Sequence, residues 1–169
     1  MSTGKVTFSL VILATSLFFS GVLLSGHSMP QSPPNIAVSG YLSADKATRG
    51  KPLPVVVVME IPGGFHVNSN RPLEKFLIPT KLEILPPNGI RVGPVAYPRP
   101  VVRNLKFSKN KVSVFEGKTT MRFTVTLPGN YSSSATEIKA RLKYQSCNDD
   151  FCFPPQTREI SIPITVAGQ

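Results

Sequence analysis

The segment from residue 137 to 145 alternates apolar and charged side chains with a period of two. Its apolar positions are Ile138, Ala140, Leu142 and Tyr144, and lysine or arginine fills the positions between them. Successive side chains of a β-strand point to opposite faces, so this pattern predicts a strand with one buried and one solvated face. The chain also holds seventeen prolines, about twice the average share of roughly 5%, which argues against long helices. We therefore predict an all-β fold.

Similar strand-like runs, separated by turn signals such as the Pro-Pro-Asn-Gly of residues 86–89, recur along the chain. The predicted strands are residues 36–43, 54–61, 76–85, 90–96, 111–116, 119–127, 137–145 and 159–166. Pro163 falls on the outward register of the last one, which predicts an edge strand or a bulge because proline cannot donate a ladder hydrogen bond. About eight short strands without a helical pattern predict an antiparallel β-sandwich.

The N-terminal region has the layout of an export signal or a membrane anchor. Residues 6–25 are apolar apart from Ser, Thr and Gly, and Lys5 supplies the basic start. A helix of that length is about 30 Å long and can cross a bilayer, and a secretory signal has the same order of segments. We predict that residues 1–25 are a signal peptide or a hydrophobic transmembrane helix, residues 26–35 a proline-rich linker, and residues 36–167 an extracytoplasmic, periplasmic β-sandwich domain. That compartment permits disulfides.

The net charge of +10 arises mostly from scattered basic residues, as on an ordinary solvated surface. One cluster has no acidic residue among its members, which are Arg99, Arg103, Lys106, Lys109 and Lys111. No aromatic-basic stacking pattern accompanies this cluster, so we predict no nucleic-acid partner. An anionic lipid surface or an acidic protein surface fits the charge better.

Both cysteines of the chain, Cys147 and Cys152, lie in one loop between two predicted strands, with Asp149 and Asp150 between them. Loops at the end of a sandwich often carry functional residues. The pair can be a structural disulfide or a dithiol that exchanges electrons. A ring this short adds only about 2 kcal/mol of stability in the chain-entropy model, so it is an inefficient staple. The two carboxylates disfavour a free thiolate, which suits a disulfide attacked by a docked partner better than a free nucleophile.

Two further kinds of site remain open for these cysteines. Two thiolates and His66 could hold copper or zinc, with His27 and Met29 as additional ligands, although the spacing is not that of a zinc knuckle. A nucleophilic cysteine would instead need a histidine polarised against it. The dithiol interpretation requires no organic cofactor, and we predict none.

The segment YQSCNDDFCFPPQ, residues 144–156, resembles the redox loop of the N-terminal periplasmic domain of the thiol:disulfide interchange protein DsbD. Four more pieces resemble that family in the same order, namely residues 64–68, 77–80, 97–98 and 114–117. The resemblance covers about residues 36–166. It implies an immunoglobulin-like β-sandwich that relays electrons between thioredoxin-like proteins, which include disulfide isomerases. The implied activity is thiol:disulfide interchange, of the protein-disulfide reductase type.

The resemblance also implies roles for single residues. Cys152 would form the mixed disulfide with a partner, and Cys147 would resolve it. The family has a mobile cap loop whose aromatic side chain covers the disulfide, and Phe107 matches it by position. His66 and Asn68 match positions near the site. The ordinary interpretations are a core aromatic for Phe107 and strand-end polar residues for the other two.

Two differences from the family affect these expectations. Four residues separate the cysteines, one fewer than in some members, so the ring is tighter and its potential can differ. The family's full protein also carries a membrane domain and a thioredoxin-like domain that this sequence lacks. We therefore expect a separate protein as the electron donor. The alternative is a non-catalytic β-sandwich binding or structural module with a structural disulfide.

Overall fold

The computed structural model describes Met1 and residues 32–168, and this part of the chain is all-β. Its strands are β1 (Ala37–Leu42), β2 (Pro52–Glu60), β3 (His66–Asn68), β4 (Lys81–Leu85), β5 (Arg91–Val92), β6 (Val101–Arg103), β7 (Val112–Phe115), β8 (Lys118–Thr126), β9 (Ala135–Tyr144), β10 (Ser146–Cys147) and β11 (Gln156–Thr165). Within the described residues, no helix is long and apolar enough to cross a membrane. The predicted export segment and most of the predicted linker lie outside those residues.

The strands form three antiparallel sheets, in the orders β1-β2-β8-β5, β11-β9-β4 and β10-β3-β7-β6. One large core joins buried side chains of the first two sheets, including Val57 of β2, Met121 of β8 and Leu142 of β9. The close approach of β1 and β11 is visible at Gly40, where an added Cβ would lie 2.6 Å from the Ile162 side chain. The predicted antiparallel sandwich is confirmed.

The alternation that predicted the fold is present in the structure. Along β9 the four apolar side chains at alternate positions are buried and the charged ones between them are exposed. Strand β11 follows the same rule, with Ile160, Ile162 and Ile164 buried. Pro163 lies on this strand, which is at the edge of its sheet. The predicted edge strand is therefore confirmed.

Two predicted strands are shorter than expected. The run 76–85 forms a strand only from Lys81, because the N–H of Ile78 donates to the side chain of Gln145 instead of to a neighbouring strand. The run 90–96 pairs regularly only over β5, since Pro94 interrupts it and Ala96 makes a single bridge to Arg122. Strands β3, β6 and β10 were not predicted, and together they belong to the small sheet that carries the cysteines.

Candidate redox site

The cysteine loop closes a long hairpin. Strands β9 and β11 pair from Ala135↔Thr165 to Tyr144↔Gln156, so residues 145–155 form the connection between them. Directly after β9 the chain leaves this hairpin and pairs with β3 as β10, which places Cys147 opposite His66. The predicted placement of the cysteines between two neighbouring strands is confirmed.

The two cysteines form a disulfide, with an S–S distance of 2.07 Å. Their surroundings differ. Cys147 is 0% exposed within β10, whereas Cys152 is partly exposed. A reagent or a partner protein can therefore approach the disulfide only from the Cys152 side.

A small hydrophobic cluster, separate from the main core, surrounds Cys152. Its buried members are Leu77, Leu105, Val112 and Val114. Cys152 and Phe107 pack against this cluster as partly buried residues. Phe107 belongs to the loop between β6 and β7. The aromatic side chain that matched the family's cap by position thus shares a cluster with Cys152, outside the main core.

Lys106, in the loop that carries Phe107, makes two contacts with the cysteine loop. The backbone N–H of Lys106 donates to the carbonyl oxygen of Asp149 over 2.8 Å. The Nζ of Lys106 lies 3.0 Å from Oδ1 of Asp150. These contacts hold the two loops side by side, although the ion pair is exposed and contributes little stability on its own.

Asn68, which is buried, and Gln145, which is partly buried, form an amide pair next to Cys147. The Nδ2 of Asn68 donates to Oε1 of Gln145 over 2.9 Å and to the carbonyl oxygen of Ile78 over 3.2 Å. Gln145 accepts a second hydrogen bond from the N–H of Ile78 and donates through Nε2 to the carbonyl oxygen of Phe153. The Oδ1 of Asn68 lies 3.8 Å from the sulfur of Cys147. Asn68 is therefore in direct contact with the disulfide.

His66 lies between two carboxylates. Its Nδ1 is 3.0 Å from Oε1 of Glu116, and its Nε2 is 3.1 Å from Oδ1 of Asp149. Arg103 donates to Glu116 twice, over 2.8 and 2.7 Å. The hydrogen bond from Arg103 is the main reason that the pKa of Glu116 lies below its ordinary value, while partial burial acts in the opposite direction. This network links the end of β7 to the cysteine loop.

The charged side chains near the disulfide are paired in the structure. The sequence predicts that Asp149 and Asp150, as nearby carboxylates, disfavour a thiolate at the cysteines. Asp149 faces His66, and Asp150 is paired with Lys106. Arg103, the other paired member of the basic cluster, is bound to Glu116. Two of the five members of the basic cluster are thus paired with carboxylates that lie outside the cluster in the sequence. The residues next to the cluster could not indicate these pairs.

The aromatic side chains of the loop form a partly exposed rim. Phe151 is 41% exposed, and Phe153 is buried. Their ring centroids are 4.9 Å apart in an edge-to-face arrangement, and Phe65 packs on Phe153 with its centroid 6.1 Å away. Phe153 therefore anchors the loop to the sandwich, and Phe151 exposes part of its apolar face to solvent.

The structure does not assemble the predicted metal alternative in the described residues. Both sulfurs are bonded to each other. Within residues 32–168, no group of three or more His, Cys, Asp or Glu side chains is arranged to hold a metal ion. His27 and Met29 lie outside the described residues.

Sequence reasoning selected five residues, and the structure brings them together in two groups. Cys147 is paired with His66 and contacts Asn68, and Cys152, which is bonded to Cys147, packs with Phe107 against the small cluster. Sequence reasoning missed Gln145, Glu116 and Arg103, which connect them. Gln145 lies in the motif at 144–156 and Glu116 in the motif at 114–117. Their positions in these motifs could have identified both residues. Arg103 was identified only as a member of the basic cluster, and the sequence did not indicate its partner Glu116, which is 13 residues away.

Comparison with known proteins identifies the family and the fold of the chain. The model of the family described as thiol:disulfide interchange protein DsbD, N-terminal, matches residues 39–163. The crystal structure of the N-terminal periplasmic domain of ScsB from Proteus mirabilis matches with a TM-score of 0.52 and 8% identity, over 78% of this chain and 46% of that chain. At this identity the likeness shows a shared fold.

Two further solved structures overlap with the chain at lower TM-scores. A DUF4466 family protein from Parabacteroides merdae has a TM-score of 0.36 and 11% identity, over 78% of this chain and 44% of that one. A family 123 glycoside hydrolase from Clostridium perfringens has a TM-score of 0.33 and 12% identity, over 79% and 28%. The chain thus spans less than half the length of each of these three structures. A comparison with curated proteins gives no match.

Proposed function

The chain belongs to the family of the N-terminal domain of the thiol:disulfide interchange protein DsbD, and from this premise we propose that it is an exported thiol–disulfide exchange module. Cys147 and Cys152 alternate between a disulfide and a dithiol and pass electrons between thioredoxin-like partners. Residues 36–167 work in the periplasm. Residues 1–25 direct or tether them there, and residues 26–35 serve as the linker.

The observation that carries this proposal is the unequal exposure of the two cysteines. In the reducing direction, the thiolate of a partner attacks Sγ of Cys152, the partly exposed cysteine. The Cys147–Cys152 bond breaks, and Cys147 leaves as a thiolate that then takes a proton. A second thiol of the partner releases Cys152, so the partner becomes a disulfide and this chain a dithiol.

The neighbouring residues support the two states. Phe107 packs with Cys152 against the same small cluster, and in this proposal it is the cap that covers Cys152 and moves when a partner docks. In the dithiol, the S–H of Cys147 can donate to Oδ1 of Asn68, which already lies 3.8 Å from the sulfur. His66 holds the loop through Asp149.

A second candidate is a non-catalytic binding or structural module in which the disulfide only stiffens the loop. The dense bonding of the loop favours it, since Lys106 and His66 bind its aspartates and Gln145 binds Asn68 and Ile78 outside the loop. The two candidates differ in how readily the disulfide is reduced.

A redox titration separates the two candidates. We expect the folded protein to equilibrate with a glutathione buffer at a potential between about −180 and −270 mV, the range of thioredoxin-like proteins. The fraction of reduced protein is measured by alkylation and mass spectrometry. A pair that stays oxidised below about −300 mV behaves as a structural disulfide and contradicts the exchange proposal.

Phe107 provides a second test, directed at the cap. In Phe107→Ala, we expect dithiothreitol to reduce the disulfide about tenfold faster, because the rate of exchange depends on access to the attacked sulfur. The reduction rate is measured by quenched alkylation on protein of verified fold. Phe151→Ala is the matched control, since Phe151 packs on Phe153 and not in the cluster around Cys152. Equal rates for the two variants would remove Phe107 from the role of cap.

A further inference from the structure

Large apolar side chains that remain exposed are concentrated around the cluster that holds Cys152. Seven such side chains are exposed within residues 32–168. Five of them lie in the small sheet or in the loops next to it: Leu73, Phe76, Val101, Val102 and Phe151. The other two are Tyr41 of β1 and Leu85 of β4. Single exposed apolar residues are common on protein surfaces, but a group of them at one place marks an interaction site.

Three loops meet at this cluster, those of residues 70–80, 104–111 and 145–155. They supply Leu77, Leu105 and Cys152 to it, respectively. Leu73 and Phe76 lie in the first loop, within four positions of Leu77, and Phe151 is the neighbour of Cys152 in the chain. A protein whose thiol reaches Cys152 from its exposed side therefore comes up against the exposed apolar side chains of these three loops.

The first of these loops is firmly held, although its tip is exposed. The N–H of Arg71 donates to Oγ of Ser69 over 3.1 Å, and the N–H of Thr80 donates to the carbonyl oxygen of Ser69 over 3.1 Å. Both backbone groups of Ile78 are bonded to the amide pair described above. Phe76, which is 61% exposed, thus projects from a fixed backbone. Such a backbone loses little freedom when a partner covers it, and this lowers the cost of binding.

The three loops also carry a surplus of positive charge. Together they hold five lysine or arginine residues and three aspartate or glutamate residues. The two aspartates of the cysteine loop already contact His66 and Lys106. Among the ion pairs of residues 32–168, none involves Lys109 or Lys111, and both of these side chains are exposed. The surface around Cys152 therefore combines apolar side chains with unpaired lysines, which complements an acidic protein surface.

We infer that the exposed apolar side chains of the three loops and the unpaired lysines of residues 104–111 form the docking surface for a thioredoxin-like partner with an apolar contact face and an acidic rim. The members of this docking surface are Leu73, Phe76, Phe151, Lys109 and Lys111. The inference rests on the proposed exchange function, because the partner is the protein that forms the mixed disulfide. The docking surface serves a protein and not a small thiol, which needs access to the sulfur alone.

Removing the apolar tip of the first loop should slow reduction by a protein and leave reduction by a small thiol unchanged. In the full chain with Leu73→Ser and Phe76→Ser combined, we expect a reduced thioredoxin-like protein to reduce the disulfide about tenfold more slowly, since a few side chains carry most of the binding energy of an interface. The rate with dithiothreitol should stay within about twofold of that of the unchanged protein. Both rates are measured by quenched alkylation at subsaturating concentrations of reductant.

Tyr41→Ser combined with Leu85→Ser is the matched control. Tyr41, at 56%, is about as exposed as Phe76, and neither control position lies in the small sheet or in the three loops. We expect this variant to react like the unchanged protein with both reductants. The inference is overturned if the two double variants react equally fast with the protein reductant, or if dithiothreitol shows the same decrease. The exchange function itself fails only if the thioredoxin-like protein does not reduce the unchanged chain.

A second experiment tests the charged part of the docking surface, with a thioredoxin-like protein of net negative charge as the reductant. Lys109→Glu combined with Lys111→Glu should lower the reduction rate about tenfold at low salt, and by less than about twofold in about 0.5 M salt, because salt screens exposed charges. Lys46→Glu combined with Lys51→Glu is the matched control. It makes the same change in net charge in the loop that bridges to Val166, at the end of the β9–β11 hairpin remote from the cysteine loop. An equal effect of the two variants would contradict the inference.

Other occupants of the docking surface would give different results. If a second copy of the chain covered it, the variant with Leu73→Ser and Phe76→Ser would lose a dimer that light scattering detects in the unchanged chain. If the lysines bound an anionic membrane, the variant with Lys109→Glu and Lys111→Glu would bind phosphatidylglycerol vesicles less tightly, while its reduction by the protein would keep its rate. Either result would overturn the inference.

Discussion

Cys147→Ser leaves Cys152 as the only thiol, and we expect this variant to form a mixed disulfide with a thioredoxin-like protein at least about tenfold faster than Cys152→Ser does. The reason is access, on which exchange rates depend. Cys152 is partly exposed, whereas Cys147 is 0% exposed. The difference should also persist when a partner docks, because a partner that displaces Phe107 reaches Cys152 first.

The measurement uses a thioredoxin-like protein with a single active-site cysteine that has been activated as its thionitrobenzoate mixed disulfide. The thiolate of Cys152 displaces thionitrobenzoate, whose release is followed by absorbance, and the covalent product is identified by non-reducing electrophoresis. The two serine variants are matched controls for each other, since each retains one thiol and loses the disulfide. Similar rates would show that burial does not select the attacked sulfur, and no product with Cys147→Ser would end the relay proposal.

Gln145→Ala is expected to lower the free energy of unfolding of the oxidised protein by about 3 kcal/mol. The side chain makes three hydrogen bonds, to Asn68, Ile78 and Phe153. A buried polar group that loses its partner costs about 1–3 kcal/mol, and partial access of water to this position limits the total. The variant should also loosen Asn68, the side chain in contact with Cys147.

Urea denaturation of the oxidised variants measures this effect. Gln156→Ala is the matched control, because it removes the same side chain at the other foot of the loop, where Gln156 accepts one hydrogen bond from the Tyr144 hydroxyl. We expect it to cost about 1 kcal/mol. Gln145→Glu keeps the acceptor but loses the donor to Phe153, so its cost should fall between the two. Equal costs for the two alanine variants would mean that the amide pair does not stabilise the loop.

The parts of the fold that the sequence predicts well are the long strands. Strands β8, β9 and β11 each span nine or ten residues, enough for a period of two to be visible in the side chains. Strands β3, β6 and β10 have only two or three residues, so no period can appear in them. Their pairing depends on contacts between distant parts of the chain, and they are the strands that build the site.

The candidate site shows the same division. Cys147 and Cys152 lie close together in the sequence and are the only cysteines of the chain. Family resemblance pointed to Phe107, His66 and Asn68. The contacts that give these residues their surroundings join positions far apart, such as His66 and Asp149, which are 83 residues apart. Family resemblance could identify which residues lie at the site. Which side chains contact each other, and which charges are paired, could be seen only in the folded structure.

The hairpin of β9 and β11 has a consequence for how the protein matures after export. Its backbone pairing reaches Tyr144 and Gln156, the residues at the two ends of the cysteine loop, and every paired position lies outside the ring that the disulfide closes. We therefore expect that a chain with free thiols completes its sandwich first and is oxidised afterwards. Since the chain has only two cysteines, oxidation within one molecule has a single product, and maturation needs no isomerase to correct a wrong pairing.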